Sequence, residues 1–199
     1  DSLLPAGYYR ASTGNYTGTG FDRGHLCPSD DRDGSDSDNE RTFKMTNISP
    51  QAPVLNQETW GDLEDYGRSL LGLGNELYVI AGGIGTGGSG SSGGTTFSIA
   101  SGRINVPSYY WKVIVVLPVD SADVSRVSTG TRVIAVLMPN VQTVSAHSWD
   151  YYRVPVDSIE TLTGYDFLSN VDTAVQRIIE ARTDAGATNV LAWDFSGAN

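Results

Sequence analysis

Residues 21–68 contain several side chains whose types and spacing could carry out acid–base or ionic chemistry. One of the two histidines, His25, lies here, and Glu64 and Arg68 stand one helical turn apart. Hydrolysis of a phosphodiester requires a base for the attacking water, positive charge near the phosphoryl oxygens and help for the leaving oxygen. The imidazole of His25 suits the first task, because an unperturbed histidine pKa of about 6.5 leaves a large neutral fraction at neutral pH. This stretch therefore predicts a centre for phosphodiester hydrolysis.

Each of these residues also has a structural interpretation. A lone histidine is more often a structural residue, but Arg23 and Gly24 directly precede this one. An arginine can contact a phosphate, and a glycine lets another group approach the backbone closely. Glu64 and Arg68 are alternatively an ordinary surface pair, four residues apart on one helix face. The residues by themselves leave both interpretations of this pair open.

Residues 30–40 form a strongly acidic segment with few apolar side chains. Carboxylates are calcium ligands, but their spacing here does not fit the twelve-residue EF-hand loop. We therefore predict a solvated surface loop, with a second cation site as the alternative. The carboxylates are Asp30, Asp31, Asp33, Asp36, Asp38 and Glu40.

The glycine-rich residues 82–94 match two short motifs in composition only. Three of the glycines fit GxGxxG, but TTFSIASG follows them, where a dinucleotide-binding motif needs a helix. Ser92 lies in a GxSxG match with His147 downstream, but a nucleophile elbow needs a strand before it and a helix after it. We interpret the stretch as a hairpin or a flexible excursion, and a serine hydrolase using Ser92 and His147 is a minor alternative.

The pattern of apolar residues predicts helices and strands that form one α+β domain over residues 1–199, without a repeat or a linker. A helix over 54–71 should carry Glu64 and Arg68 on one face. Another helix is predicted at 157–164, with Asp157 as its N-cap and Glu160 at the capping-box position. Strands are predicted at 42–48, 75–83, 104–118 and 131–140, a last helix at 171–182, and an edge strand or a packed Trp193 and Phe195 in the tail NVLAWDFSGAN.

The composition is that of a globular, acidic protein. A chain of 199 residues can form one large domain, and such a domain buries roughly two-thirds of its unfolded surface. The formal net charge of -10 argues against a broad basic face that holds nucleic acid. An enzyme that turns its substrate over needs only local positive charge, which a few arginines and a bound cation supply.

Cysteine content and hydropathy limit the setting of the chain. Cys27 is the single cysteine, so an intrachain disulfide is excluded. No apolar run reaches the roughly 18 residues of a membrane span, and no membrane partner is predicted. The chain opens with DSLLPAG, not with a basic and apolar leader, so we expect an exported protein to be present in its processed form.

Several motifs together resemble the DNA/RNA non-specific endonuclease family. DRGHLCPSDDR is followed by TFKMTNISPQAPVLNQETWGDLEDYGR, and the similarity continues through NELYVIAGG, INVPSYYWKVIVVL, AVLMPN and SIETLTGYDF. The resemblance covers most of the chain, and DRGH and LNQ in this order are specific. It implies a central antiparallel β-sheet flanked by helices, with a ββα-metal finger at about residues 21–72. It also implies a Mg²⁺-dependent endonuclease, with Mn²⁺ or another divalent cation as a substitute, that hydrolyses single- and double-stranded DNA and RNA.

The resemblance further implies a role for each matched residue. His25 of DRGH would be the general base, and Asn56 of LNQ would be the only direct protein ligand of the Mg²⁺. Glu64 would hold the waters of the ion, and on a straight helix it would lie about 80° around the axis from Asn56. Asn47 of TNISPQ would hold the geometry near His25. The phosphate-binding residues would be Arg23 and Arg68.

Two departures from the family pattern support an alternative. Family members usually carry further strands before DRGH, so we expect a processed or cleaved chain, and the strong acidity is unusual for a nuclease. The alternative is a catalytically inactive binding module on the same scaffold. Family habit favours a secreted or periplasmic location, whereas the sequence leaves open the oligomeric state, an inhibitor protein and the preference between DNA and RNA.

Overall fold

The computed structural model describes residues 3–188, so the predictions for Trp193 and Phe195 lie outside the described residues. Within them, seven strands form three antiparallel sheets, and there are five α-helices. The strands are β1 (Asp22–His25), β2 (Ile48–Gln51), β3 (Asn75–Ile84), β4 (Ser98–Ile99), β5 (Ile104–Asn105), β6 (Tyr109–Pro118) and β7 (Arg132–Pro139). The helices are α1 (Asp36–Thr42), α2 (Trp60–Leu71), α3 (Asp123–Arg126), α4 (Val156–Thr163) and α5 (Thr173–Ile179).

The central sheet has the strand order β3-β6-β7 and separates two hydrophobic cores. Side chains of a strand alternate between its two faces. Tyr110 and Ile114 of β6 therefore pack with the residues of α2, whereas Trp111 and Val113 pack with α4 and the end of α5. Burial on both faces explains why β6 reads as a nearly continuous apolar run. The arrangement confirms the predicted α+β fold, with a central antiparallel sheet flanked by helices.

The second sheet pairs β1 with β2 and leads directly into α2, which gives the ββα order of the site. Its register places Gly24 opposite Ser49 and His25 opposite Ile48. The side chain of Gln51 lies across Gly24, where an added Cβ would stand 1.8 Å from Gln51 Oε1. A residue without a side chain is therefore required at this position of β1.

Two predictions before α2 are wrong in detail. The strand expected at 42–48 begins only at Ile48, because Met45–Asn47 forms a 3₁₀ turn. The acidic loop expected at 30–40 contains the start of α1, whose N-cap Ser35 accepts a hydrogen bond from the Asp38 backbone N–H at 3.2 Å. Carboxylates in a first helical turn are favoured by the helix dipole, so the acidic residues support this helix.

The later helices are present but differ at their ends. Pro155, not Asp157, is the N-cap of α4. Glu160 does not form the expected capping box, because its Oε1 accepts from the backbone N–H of Phe167 at 2.7 Å. The last helix is shorter than predicted. Its N-cap is Asp172, whose side chain accepts a hydrogen bond from the backbone N–H of Ala174. The strand predicted at 104–118 is divided into β5 and β6.

The glycine-rich residues 82–94 contain the end of β3 and an irregular loop. Gly88 bridges Thr96. No helix follows Ser92 in this loop, so a nucleophile elbow is absent there. None of the helices in residues 3–188 has the length and apolar character needed to span a bilayer.

Candidate metal and catalytic site

Asp22 connects β1 to the turn that precedes α2. Its Oδ2 accepts hydrogen bonds from Asn56 Nδ2 at 3.0 Å and from Gln57 Nε2 at 2.7 Å. A carboxylate oxygen can only accept, so the amide nitrogen of Asn56 must face it. The amide oxygen Oδ1 of Asn56 is then turned away from Asp22 and remains available to a cation.

Asn56 lies in a π-helical turn. Residues Leu55–Thr59 form this turn, and the backbone N–H of Trp60 donates to the carbonyl of Leu55. A π-turn widens a helix locally and occurs often at functional sites. The estimate of about 80° between Asn56 and Glu64 assumed a straight α-helix, so it does not apply here.

His25 is the last residue of β1, and its surroundings favour the neutral imidazole. Burial and the nearby charge of Arg23 lower the pKa of His25 below its ordinary value of 6.5. The ring meets Phe43 edge-on, with centroids 5.0 Å apart. The Nε2 atom is buried and has no hydrogen-bond partner within residues 3–188. The ring is therefore held by packing, not by a hydrogen bond.

The position of His25 relative to Asn56 follows from β1. His25 and Asp22 are three residues apart on a strand that rises about 3.3 Å per residue, which puts their Cα atoms about 10 Å apart. Residues at this spacing project to opposite faces of a regular ladder, but His25 stands where the ladder ends. No hydrogen bond joins the His25 and Asn56 side chains, so Asp22 is the link between the two elements.

Asn47 fixes the chain directly after His25. Its Oδ1 accepts from the Cys27 N–H at 3.0 Å, while its Nδ2 donates to the carbonyls of Cys27 and Thr42, each at 2.8 Å. The N–H of Leu26 adds a bond to the Asn47 carbonyl at 3.0 Å. The side-chain amide of Asn47 therefore forms hydrogen bonds only with backbone groups, and these bonds fix the chain at the end of β1.

Glu64 and Arg68 do not pair with each other, so the surface-pair interpretation is wrong. Glu64 Oε1 accepts from Lys112 Nζ at 2.8 Å. Arg68 contacts Asp31 Oδ1 at 3.2 Å and also pairs with Asp65. Glu64 is therefore held by the central sheet, whereas Arg68 is held by its own helix and the acidic segment.

Arg23 differs from Arg68 in being free. It is exposed and makes no ion pair or side-chain hydrogen bond within residues 3–188. A free guanidinium two residues before His25 can bind a phosphate oxygen without losing an existing contact.

A cleft of about 770 Å³ adjoins these residues and contains part of the predicted set. Asn47, Glu64 and Arg68 line it, whereas Arg23, His25 and Asn56 are not among its lining residues. The cleft thus brings three of the six sequence-predicted residues together. The other three lie on β1 and the π-turn, which Asp22 joins.

A sequence model of the DNA/RNA non-specific endonuclease family matches residues 1–174. The chain belongs to this endonuclease family. It is 44% identical over 184 residues to a nuclease of Nostoc sp. (strain PCC 7120 / SAG 25.82 / UTEX 2576), covering 92% of this chain and 64% of that protein. It is 33% identical over 167 residues to the human mitochondrial endonuclease G, covering 82% of this chain and 54% of the relative. The chain thus spans between half and two thirds of the length of these relatives.

A solved structure shows the same fold. A chain of the crystal structure of the EndoG/EndoGI complex, which concerns the mechanism of EndoG inhibition, matches with a TM-score of 0.68 at 24% identity. The match covers 86% of this chain and 68% of that one. The shared fold therefore extends over most of this chain.

Two residues of this candidate site, Asp22 and Lys112, were not among the residues predicted from the sequence. Asp22 stands in the DRGH motif, and a carboxylate three residues before His25 was the available signal. Lys112 is a single charge within the apolar run of β6, which is itself a signal because a buried charge needs a partner. Only the structure shows that the partner of Lys112 is Glu64.

Proposed function

We propose that this chain is a Mg²⁺-dependent endonuclease that hydrolyses phosphodiester bonds of single- and double-stranded DNA and RNA. His25 serves as the general base and Asn56 as the direct metal ligand. The observation that carries the proposal is the hydrogen bond from Asn56 Nδ2 to Asp22 Oδ2. It joins the DRGH strand to the LNQ turn and leaves the Asn56 amide oxygen turned away from Asp22.

The donor set suits Mg²⁺. Mg²⁺ prefers oxygen ligands, keeps several waters and is bound by few protein groups. Asn56 offers one oxygen, and the carboxylates of Asp22 and Glu64 suit hydrogen bonds to bound waters. Gln51, opposite Asp22 in the strand register, has a buried amide with no partner in the described part of the chain. Bound here, the ion would supply positive charge to the phosphoryl and leaving oxygens.

His25 supports the proposal as a base because its pKa is lowered. A neutral ring can accept the proton of the attacking water. Nε2 is buried, so Nδ1 is the nitrogen that meets the water. Asn47 keeps the end of β1 in place during this transfer.

The phosphate-binding residues supply local positive charge to an acidic protein. Arg23 has no side-chain partner within residues 3–188, and Arg68 lines the cleft with its guanidinium held by two carboxylates. Both would act on the charge of the transition state, since catalysis requires stabilisation of the transition state more than tight binding of the ground state.

The test is digestion of plasmid DNA and of a transcribed RNA by the full chain, with Mg²⁺ and with EDTA. We expect EDTA to abolish cleavage and His25→Ala to reduce the rate by at least about 100-fold, the usual contribution of a general base. Asn56→Ala should act in the same direction. His147→Ala is the matched control, because His147 is exposed and stacks on Tyr151 at 3.8 Å.

Two results would contradict the proposal. Equal rates for His25→Ala and His147→Ala would remove His25 from the mechanism. Binding of both nucleic acids without cleavage, at any Mg²⁺ or Mn²⁺ concentration, would favour the inactive binding module.

A further inference from the structure

Three carboxylates meet on the face of the central sheet opposite α2, where α4 begins and α5 ends. Asp157 and Glu160 lie one turn apart near the start of α4, and Glu180 directly follows α5. One carboxylate oxygen of each lies within 4.8 Å of the other two. The Asp157 N–H also donates to the Glu180 carbonyl at 3.2 Å. The main chain thus holds the two helix ends together and brings the carboxylates close.

Glu180 is the unusual member of this cluster because it is buried. Its residue is 5% exposed, and its Oε1 has no hydrogen-bond partner within residues 3–188. An uncompensated buried carboxylate is strongly unfavourable. Its place at the C-terminal end of a helix adds to this, because that end carries negative partial charge. Glu180 therefore has a buried carboxylate oxygen that no described protein group uses, and its carboxylate belongs to the cluster.

No cationic side chain within the described part of the chain forms an ion pair with the cluster. Arg182 donates to two backbone carbonyls, and Arg177 is exposed. None of the ion pairs within residues 3–188 includes Asp157, Glu160 or Glu180. Three carboxylates within reach of one another, one of them buried, need either a proton or an external cation.

Burial and three neighbouring carboxylates both favour the protonated form of Glu180. Burial, followed by the charges of Glu160, Asp157 and Asp166, raises the pKa of Glu180 to about 7.

We propose that Asp157, Glu160 and Glu180 bind one hard divalent cation of the calcium class, at a site separate from the proposed catalytic centre. Ca²⁺ lies 2.3–2.6 Å from its oxygen ligands, so two ligands of one ion can be up to about 5 Å apart. The carboxylate oxygens fit this limit without movement. The absence of thiol and imidazole groups from the cluster disfavours zinc and copper. The hydrogen bond from Phe167 holds the Glu160 carboxylate in position.

The site would tie the start of α4 to the end of α5. Both helices pack through Val156, Ile159 and Ile179 on the core formed by β6 and β7. A cation bound only in the folded state stabilises that state by mass action. The site therefore contributes to stability, and it does not depend on the proposed nuclease activity.

The test is Ca²⁺ binding to the full chain by isothermal titration calorimetry, together with thermal unfolding in Ca²⁺ and in EDTA. It uses an Asn56→Ala background, so that a cation at the proposed catalytic site does not contribute. We expect one equivalent of Ca²⁺ to bind and to raise the Tm. Glu180→Gln should weaken Ca²⁺ binding by at least about tenfold. Loss of a group that only orients a metal ligand already lowers metal affinity by about that factor. The increase in Tm should disappear with it.

Two further variants make the result specific. Asp166→Asn removes a nearby charge outside the cluster and should keep the increase in Tm, whereas Asp157→Asn should lose it. Glu180→Gln should itself raise the Tm in EDTA, because it removes a buried charge, and this shows that the variant folds. Equal Ca²⁺ affinity in Glu180→Gln, or no Ca²⁺ binding to the Asn56→Ala protein, would overturn the proposal.

Discussion

Lys112 and Glu64 form an ion pair inside the protein, with side chains that are only 2% and 12% exposed. Lys112 stands in the middle of β6, and its Nζ lies 4.1 Å from the ring centroid of Trp60. Burial lowers the pKa of Lys112 and raises the pKa of Glu64, so each group needs the other to remain charged. The pair fixes the carboxylate of Glu64 at the wall of the cleft.

Removal of Lys112 should therefore destabilise the protein strongly. In Lys112→Met the carboxylate of Glu64 is left buried without its partner, and we expect a loss of about 3–5 kcal/mol in the free energy of unfolding. Urea unfolding monitored by circular dichroism measures this loss. The control is Arg41→Met, which breaks an exposed pair with Asp38 at 3.8 Å and should cost less than about 1 kcal/mol. Similar losses in both variants would show that the buried pair has no special role.

Asp22 should control the affinity for Mg²⁺, because it orients Asn56. Asp22→Asn keeps the shape of the side chain but removes the charge that accepts from the Asn56 amide. We expect the Mg²⁺ concentration for half-maximal cleavage to rise about 10- to 100-fold, as for other groups that orient a metal ligand. A Mg²⁺ titration of plasmid cleavage checks this. Asp36→Asn in α1 is the control, and an unchanged Mg²⁺ requirement in Asp22→Asn would contradict the orienting role.

The pH dependence of cleavage should reflect the neutral form of His25. Burial and Arg23 lower the pKa of this residue below 6.5. A base must be unprotonated, so the rate should fall as the pH drops through this lowered pKa and be flat through neutral pH. Arg23→Gln removes the nearby positive charge and should move the acid limb of the kcat/KM profile to higher pH. An acid limb that stays in place in this variant would separate the profile from His25.

The sequence predicted those elements whose apolar pattern is regular. The helix over 54–71 and the strand at 131–140 correspond to α2 and β7, because burial leaves a clear apolar pattern in both. The strand at 75–83 corresponds to β3, but its apolar run is not buried, because Tyr78, Val79 and Ile80 are 46%, 42% and 40% exposed. The start of β2 was placed wrongly because the Asn47 side chain replaces strand hydrogen bonds with a turn. Such local side-chain competition with the backbone leaves no periodic signal.

The candidate site was predictable only in part, for a similar reason. Motif resemblance selected Asn56 and His25, but neither periodicity nor composition indicates the π-turn that carries Asn56. The partners of Glu64 and Arg68 are a strand residue and two aspartates, one of them distant in sequence. Long-range partners depend on the register of the sheet, which helix spacing alone does not define.

Gly24 should be intolerant of any side chain. A Cβ there would lie 1.8 Å from Gln51 Oε1, and the Gln51 side chain is fully buried. Gly24→Ala is therefore expected to lower the free energy of unfolding by about 1–3 kcal/mol, as overpacking does. Gly34→Ala is the matched control because no atom lies within 4 Å of its added Cβ. Thermal unfolding of the two variants should separate them, and an equal Tm would mean that Gln51 moves aside freely.

Glu180 should make the stability of the cation-free protein depend on pH. Its pKa is raised from 4.5 to about 7 by burial and by Glu160, Asp157 and Asp166. Between pH 4.5 and about pH 7, the Glu180 carboxyl group is ionised in the unfolded chain but protonated in the folded chain. The contribution of Glu180 to stability is therefore fully present below about pH 4.5 and is lost as the pH rises through about 7.

The variant Glu180→Gln has no titrating group at this position, so it should not lose this stability as the pH rises. The free energy of unfolding of the variant minus that of the wild type should therefore increase from about pH 5 to about pH 7 and then become constant. Urea unfolding in EDTA at several pH values measures this difference in the free energy of unfolding. The contributions of all other carboxylates are common to both proteins and cancel. Glu40→Gln, at an exposed position of α1, is the control. Parallel curves for wild type and Glu180→Gln would show that Glu180 is solvated, because only a group with different pKa values in the folded and unfolded states changes the slope.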